Sequence, residues 1–164
     1  MRRILKMKSL VYEADESIPP VVEVEGLQSN AGIKPFDFNI RKGEVNGFTG
    51  LLGSGRSECV RAIFGADRVT GGTVKKSGKV VKINKPLDAM KQGIAYLPED
   101  RKRDGIVGDL SVRDNIILAA PGASWITYKP FSKAQANKFA DEYIKLLEIK
   151  TASARHTDQI TIRW

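Results

Sequence analysis

Apolar and polar residues alternate in two early stretches, Val22-Glu-Val24-Glu-Gly26 and Phe36-Asp-Phe38-Asn-Ile40. That period predicts half-exposed strands. Arg41-Lys-Gly43 reads as a turn, and Val45 to Thr49 as a short buried strand, with Asn46 and Gly47 counting against it. After Gly55, the residues Val60, Ile63 and Phe64 recur at helical spacing with Cys59 beside them. Gly65, and then Thr70-Gly-Gly72, are expected to end that helix. Val74 and Lys79 to Ile83 suggest a hairpin turned at Ser77-Gly78. Pro86 suits the first turn of a helix reaching about Gln92, with Gly93 as its stop. Ile94-Ala-Tyr-Leu97 reads as another apolar strand of the buried kind.

Further along, Ser111-x-x-Asp114 resembles a capping box opening a helix that carries Val112, Ile116 and Ile117. Ser132-x-x-Gln135 opens a longer helix. There Ala136, Phe139, Ala140, Tyr143 and Leu147 make one apolar face, most simply core packing. Residues 1–20 mix charges of both signs and end in Pro19-Pro20, the pattern of a linker or arm, so the domain proper is placed at 21–164. No internal repeat is visible. The order of elements predicts an α/β fold.

Composition narrows the function classes. The 164 residues are 41% hydrophobic and 28% charged, enough for one domain with a real core. Lys and Arg total 27 against 19 Asp and Glu, a net +8 that fits nucleic acid, an acidic membrane or phosphate ligands equally. No nucleic-acid motif supports the first, and at 7% aromatics no stacking platform is evident, so no nucleic-acid partner is expected. The single cysteine, Cys59, excludes an intramolecular disulfide and reads as a small apolar helix residue. Lys6 and Lys8 interrupt any signal-peptide apolar region, and no run approaches the roughly 18 residues of a membrane helix. A soluble, cytoplasmic chain is expected.

One segment carries chemistry. Gly50-Leu51-Leu52-Gly53-Ser54-Gly55-Arg56-Ser57 has the spacing G-x-x-x-x-G-[basic]-[Ser/Thr] between a predicted strand and a predicted helix. Glycines let consecutive backbone amides turn inward into an anion-sized nest, and the helix N-terminus adds donors and partial positive charge. Ser57 stands where such a loop offers a hydroxyl to magnesium. The structural alternative is a glycine-rich turn with no ligand. Two residues depart from the usual loop. Arg56 replaces a lysine, and a planar guanidinium does not fit between phosphates as a compact ammonium does. Glu58 suits the helix dipole but places a carboxylate near the phosphates. Both changes predict weakened binding. Alternatively, Arg56 and Glu58 pair with each other or across an interface and leave a structural loop.

These residues resemble the ATP-binding cassette proteins that power bacterial sugar import, and most of all the second, C-terminal cassette of the double-cassette ribose/galactose/xylose type. Four segments carry the likeness: Gly50 to Glu58, Arg61-Ala-Ile-Phe-Gly-Ala-Asp67, Gly93-Ile-Ala-Tyr-Leu-Pro-Glu-Asp-Arg101 and Leu110-Ser-Val-Arg-Asp-Asn-Ile116. It spans about Val21 to Lys150. Second cassettes of that family commonly carry arginine, then Ser or Thr, then Glu, so the resemblance makes Arg56-Ser57-Glu58 inherited.

The resemblance implies a P-loop cassette core with an antiparallel β arm, and a phosphate loop at Gly50 to Glu58 with Ser57 toward Mg2+. It places Glu99 where ordinary cassettes have a magnesium- and water-sensing glutamine; a carboxylate accepts but does not donate. The adenine-stacking aromatic would fall near Ala31, which cannot stack, with Phe36 nearby. Arg101-Lys-Arg103 is then a solvated loop or a partner contact. The signature, the Walker B aspartate, the catalytic glutamate and the switch histidine would lie beyond Ile160-Thr-Ile-Arg-Trp164, so the cassette is expected to be incomplete, with His156 a surface residue. The implied cofactors are ATP and Mg2+, weakly bound. The implied partners are the first cassette of the same ATPase, transmembrane permease subunits and, indirectly, a sugar-binding protein, at the inner face of the membrane. Alone the chain is expected to hydrolyse little or nothing. The competing expectation is a non-hydrolysing structural or regulatory docking module with an empty loop.

Overall fold

Val22, Val24 and Leu27 are all buried, although strict alternation would send Leu27 to the face opposite Val24. A bulge resolves the conflict. In the computed structural model, which describes residues 17–118, 120 and 131–151, strand β1 is Val22–Ser29. Its register slips against one neighbour between Val24 and Leu27 and against the other between Glu25 and Gln28. Gly26 takes a φ of 56°, and its amide donates to Oδ1 of Asp37 at 2.7 Å. The strand therefore continues to Ser29, past the point where its alternation breaks.

β1 pairs antiparallel with β2 (Phe36–Ile40) and β3 (Val69–Lys76), and β3 with β4 (Lys79–Val81), in the order β2-β1-β3-β4. Thr70-Gly-Gly72 is not a helix stop but part of β3. The strand has a glycine there because Gly72 lies against the bulge. The expected turn at Ser77-Gly78 joins β3 to β4, with φ of 47° and 77°, both positive as a tight hairpin turn requires.

Helix α1 (Arg56–Phe64) and helix α2 (Pro86–Lys91) complete this unit, which spans Met1–Tyr96. Ala62, Ile63 and Ala89 join Val22, Val24, Leu27, Val74 and Ile83 in its core. Gly65 alone ends α1: its left-handed φ of 73° lets the capping amides reach the carbonyls of Ala62 and Arg61. Pro86 begins α2 and Gly93 follows it at a φ of 76°.

The strand expected at Ile94–Leu97 is absent. Ile94 donates its amide back to the Ala89 carbonyl, the Tyr96 ring rests 5.4 Å from Phe64, and Leu97 is 82% exposed. An apolar run becomes a strand only where neighbouring strands take its amides and carbonyls. Among the described residues, all four strands belong to one antiparallel sheet that does not include this run.

The second unit, Leu97–Trp164, holds α3 (Arg101–Asp104), α4 (Val112–Leu118) and α5 (Lys133–Leu146). Ser132 and Gln135 form the full capping box of α5. Of its apolar stripe, Ala136 and Ala140 are buried, and the Phe139 and Tyr143 rings pack 4.6 Å apart. Leu147 is exposed, because it is the C-cap and lies past the last helical turn. Arg113 Nη1 donates to Asn137 Oδ1 at 3.2 Å, tying α4 to α5. Among the described residues no helix is long and apolar enough to cross a membrane.

At the start of α4, the Asp114 amide donates to Ser111 Oγ at 3.1 Å, and that hydroxyl donates to Asp114 Oδ2 at 2.6 Å. The Ser111 hydroxyl, helped by the Arg113 guanidinium, holds the Asp114 carboxyl below its ordinary 3.8. A depressed carboxyl stabilises the fold above its unfolded value, and that contribution is lost as pH falls through the folded value. Asp114→Asn is therefore expected to lower thermal stability at neutral pH and to shrink the acid-induced loss between about pH 5 and pH 2, read by melting temperature against pH.

Candidate functional site

The loop Gly50–Gly55 reaches α1 through glycine geometry. Gly53 and Gly55 take left-handed φ values of 78° and 88°, and the Ser54 amide donates to the Leu51 carbonyl at 3.1 Å, closing a turn. At Gly50 a Cβ would lie 2.5 Å from Ser54 Oγ and 3.6 Å from Arg56 Cδ, so both side chains fold back over bare backbone. Leu51 and Leu52 are 85% and 95% exposed.

Gly55 is the N-cap of α1 and offers no side chain to the first turn; the first helical bond runs from the Cys59 amide to the Gly55 carbonyl at 2.9 Å. Amides ahead of the first helical bond have no acceptor within an α-helix, and a helix N-terminus carries a partial positive charge. Such an end suits an anion. Arg56, Ser57 and Glu58 are half-buried in the first turn. Among the described residues no ion pair joins Arg56 to Glu58, so the expectation that these two close the loop on each other is not met. They are two apart on a helix, where side chains do not face each other. Burial, and then the Glu58 charge, push the Cys59 thiol up from its ordinary 9.0, leaving it an inert, half-buried filler.

The strand expected just before the loop is missing. Residues 44–51 form no regular structure, and Val45 is 94% exposed. The backbone instead hangs on β2: Asn46 Nδ2 donates to the Asn39 carbonyl at 3.2 Å, and the Phe48 ring lies 5.1 Å from Phe38. As at Ile94–Leu97, no strand runs alongside to pair with it. A cleft of about 300 Å³ opens here, lined by Phe38, Asn39, Glu44, Asn46, Gly47 and Phe48 and by none of the loop residues Gly50–Glu58. Alternation marked Phe38 as inward-facing, but nothing in the sequence signalled its contact with Phe48.

Other predicted positions are scattered. Ala31 is exposed in the turn after β1, and Phe36 packs on the core from β2. Glu99 is exposed ahead of α3, in the second unit. Arg101-Lys-Arg103 is helical rather than a loop, because Asp100 Oδ1 accepts from the Arg103 amide at 3.1 Å and caps the turn. His156 lies outside the described residues. Among the described residues, no cluster of three or more His, Cys, Asp or Glu is arranged to hold a metal.

The fold is that of an ATP-binding cassette. A solved ATP-binding cassette of an ABC transporter superposes with a TM-score of 0.55, covering 86% of this chain and 58% of that one at 18% identity. Residues 33–162 match the ABC transporter family, and the chain belongs to it. Its curated relatives include the fructose import ATP-binding protein FruK of Bifidobacterium longum, 45% identical over 81% of this chain and 26% of that protein. The ribose import ATP-binding protein RbsA of Lactococcus lactis subsp. cremoris is 43% identical over 79% of this chain and 26% of that protein. For the arabinose import ATP-binding protein AraG of Ralstonia nicotianae the figures are 43%, 84% and 27%. The chain thus spans about a quarter of the length of these relatives.

Proposed function

We propose that this chain is the N-terminal part of the second nucleotide-binding cassette of a bacterial carbohydrate importer, and that it binds ATP weakly through Gly50–Glu58. The single observation that supports the reading is the uncapped N-terminus of α1, reached through the left-handed glycines Gly53 and Gly55. First-turn amides would hold a phosphate there, and Ser57 would offer a hydroxyl to Mg2+. When bound, Mg2+ neutralises phosphate charge. The names of the relatives, fructose and ribose import ATP-binding proteins, support a role in sugar import. With that role go, as part of the proposal, permease subunits and the first cassette as partners and a peripheral place at the inner membrane face.

Weak binding follows from two side chains. Arg56 brings a wide, planar cation to a slot suited to a point charge, and Glu58 brings a negative charge to the same turn. The expected Kd for Mg-ATP is on the order of 1 mM. Isothermal calorimetry on the chain measures it, and Glu58→Gln is expected to tighten it by about two- to tenfold by removing a like charge. In-line hydrolysis needs a held metal and a positioned water, and the loop with Ser57 offers only part of that. Turnover by the isolated chain at about 1 s⁻¹ or faster would overturn the reading. No heat and no thermal shift at millimolar Mg-ATP would favour an empty docking module instead.

A further inference from the structure

Helix α1 is gripped from outside at both ends, and one short path of contacts connects the two grips. At its last turn the Arg61 guanidinium meets Asp67 with two prongs: Nε donates to Oδ2 at 3.0 Å and Nη2 to Oδ1 at 2.8 Å. A planar fork on a carboxylate fixes direction as well as distance. The Asp67 side chain is only 14% exposed. The next residues carry the grip to β1. The Arg68 carbonyl accepts from the Asn30 amide at 3.0 Å, and Val69 pairs with Ser29. Ser29 is buried and shapes the turn that follows: its Oγ accepts from the Ala31 amide at 3.3 Å and its carbonyl from the Gly32 amide at 3.1 Å. Out of that turn comes Ile33. A Cβ added at Gly55 would lie 3.3 Å from Ile33 Cγ2, so Ile33 sits against the N-cap of α1. The contacts thus run from the end of α1 through residues 67–69 and 29–33 back to its start, all within the first unit.

We propose that Arg61 is a positioning residue of the nucleotide site: paired with Asp67, it sets the 29–33 turn so that Ile33 holds Gly55 and the loop before it in the shape that receives phosphate. The ligand is that of the nucleotide reading above, on which this role rests; the brace itself rests on the contacts alone. Ending α1 would not account for the pair, because Gly65 already caps that end through its own amide and that of Ala66. Nor would it account for a path of contacts that returns to the other end of the helix.

NMR on the whole chain tests it, with Mg-ATP titrated against the Gly53 and Gly55 amide shifts. Arg61→Ala and Asp67→Ala are each expected to weaken Kd by about three- to tenfold, and the double variant by no more than either, since both remove one interaction. Ile33→Ala should weaken it alike while leaving the ion pair in place. Without nucleotide, Arg61→Ala should speed hydrogen exchange at the bonded Ser54 and Cys59 amides by about three- to tenfold, with the Val24 and Val74 amides of the sheet unchanged. A merely structural pair would move all four amides together and leave Kd where it was. Equal Kd in the Arg61→Ala and unaltered chains, or loop and sheet exchange that respond alike, would overturn the role. If the unaltered chain shows no shifts with Mg-ATP, the nucleotide reading fails and the positioning role with it, while the exchange pattern decides the brace by the same criterion.

Discussion

Gly72→Ala is expected to destabilise the first unit by about 3–5 kcal/mol, a large share of the 5–15 kcal/mol typical of a domain. At Gly72 the backbone holds a φ of 86°, and a Cβ would stand 2.4 Å from the Gly26 carbonyl oxygen and 2.5 Å from the Leu27 Cα. Those are backbone atoms of a paired strand, so no rotamer change relieves the contact. Gly26→Ala is the matching control: it shares a positive φ, at 56°, but meets nothing within 4 Å. It should cost only about 1–2 kcal/mol, the strain of the left-handed conformation. Urea unfolding of the three chains measures both. Equal costs would show that conformation, rather than the close approach of β1 and β3 at the bulge, explains why position 72 is glycine.

Leu27→Ala carries the second large effect. Leu27 is 0% exposed and, with Val24, one of the two largest fully buried side chains among the described residues. Removing it should cost about 2–5 kcal/mol through lost burial and the cavity left behind. Leu52→Ala removes the same atoms from a side chain 95% exposed in the loop ahead of α1, and should stay within about 0.5 kcal/mol. A comparable loss at both positions would mean that Leu52 is covered by something in solution.

Several elements set by neighbouring residues were legible, although Thr70-Gly-Gly72 proved to be strand and Arg101-Lys-Arg103 helix. The alternation around Val22 and Phe36, the Ser77-Gly78 turn, Pro86 at the start of α2 and the Ser132–Gln135 box each concern residues a few positions apart. Local sterics and hydrogen bonds decide such features before any distant contact forms. Two kinds of feature were not legible. Leu27 belongs to the core only because a bulge shifts its face, and the bulge depends on Asp37 and Gly72 from other strands. Val45–Thr49 and Ile94–Leu97 have strand-like composition but no strand beside them.

The site divides in the same way. Glycine spacing alone marked Gly50–Gly55 as a turn into a helix, and Gly53 and Gly55 take the left-handed values such a turn requires. The absence of an Arg56–Glu58 ion pair follows from their helical geometry, once α1 is known to start at Arg56. By itself the sequence determined which residues bend, cap and alternate, because those choices lie within a few bonds of each other. Tertiary structure decided which apolar runs pair, which side of β1 Leu27 occupies and what Phe48 rests against, because each needs atoms that only folding brings near.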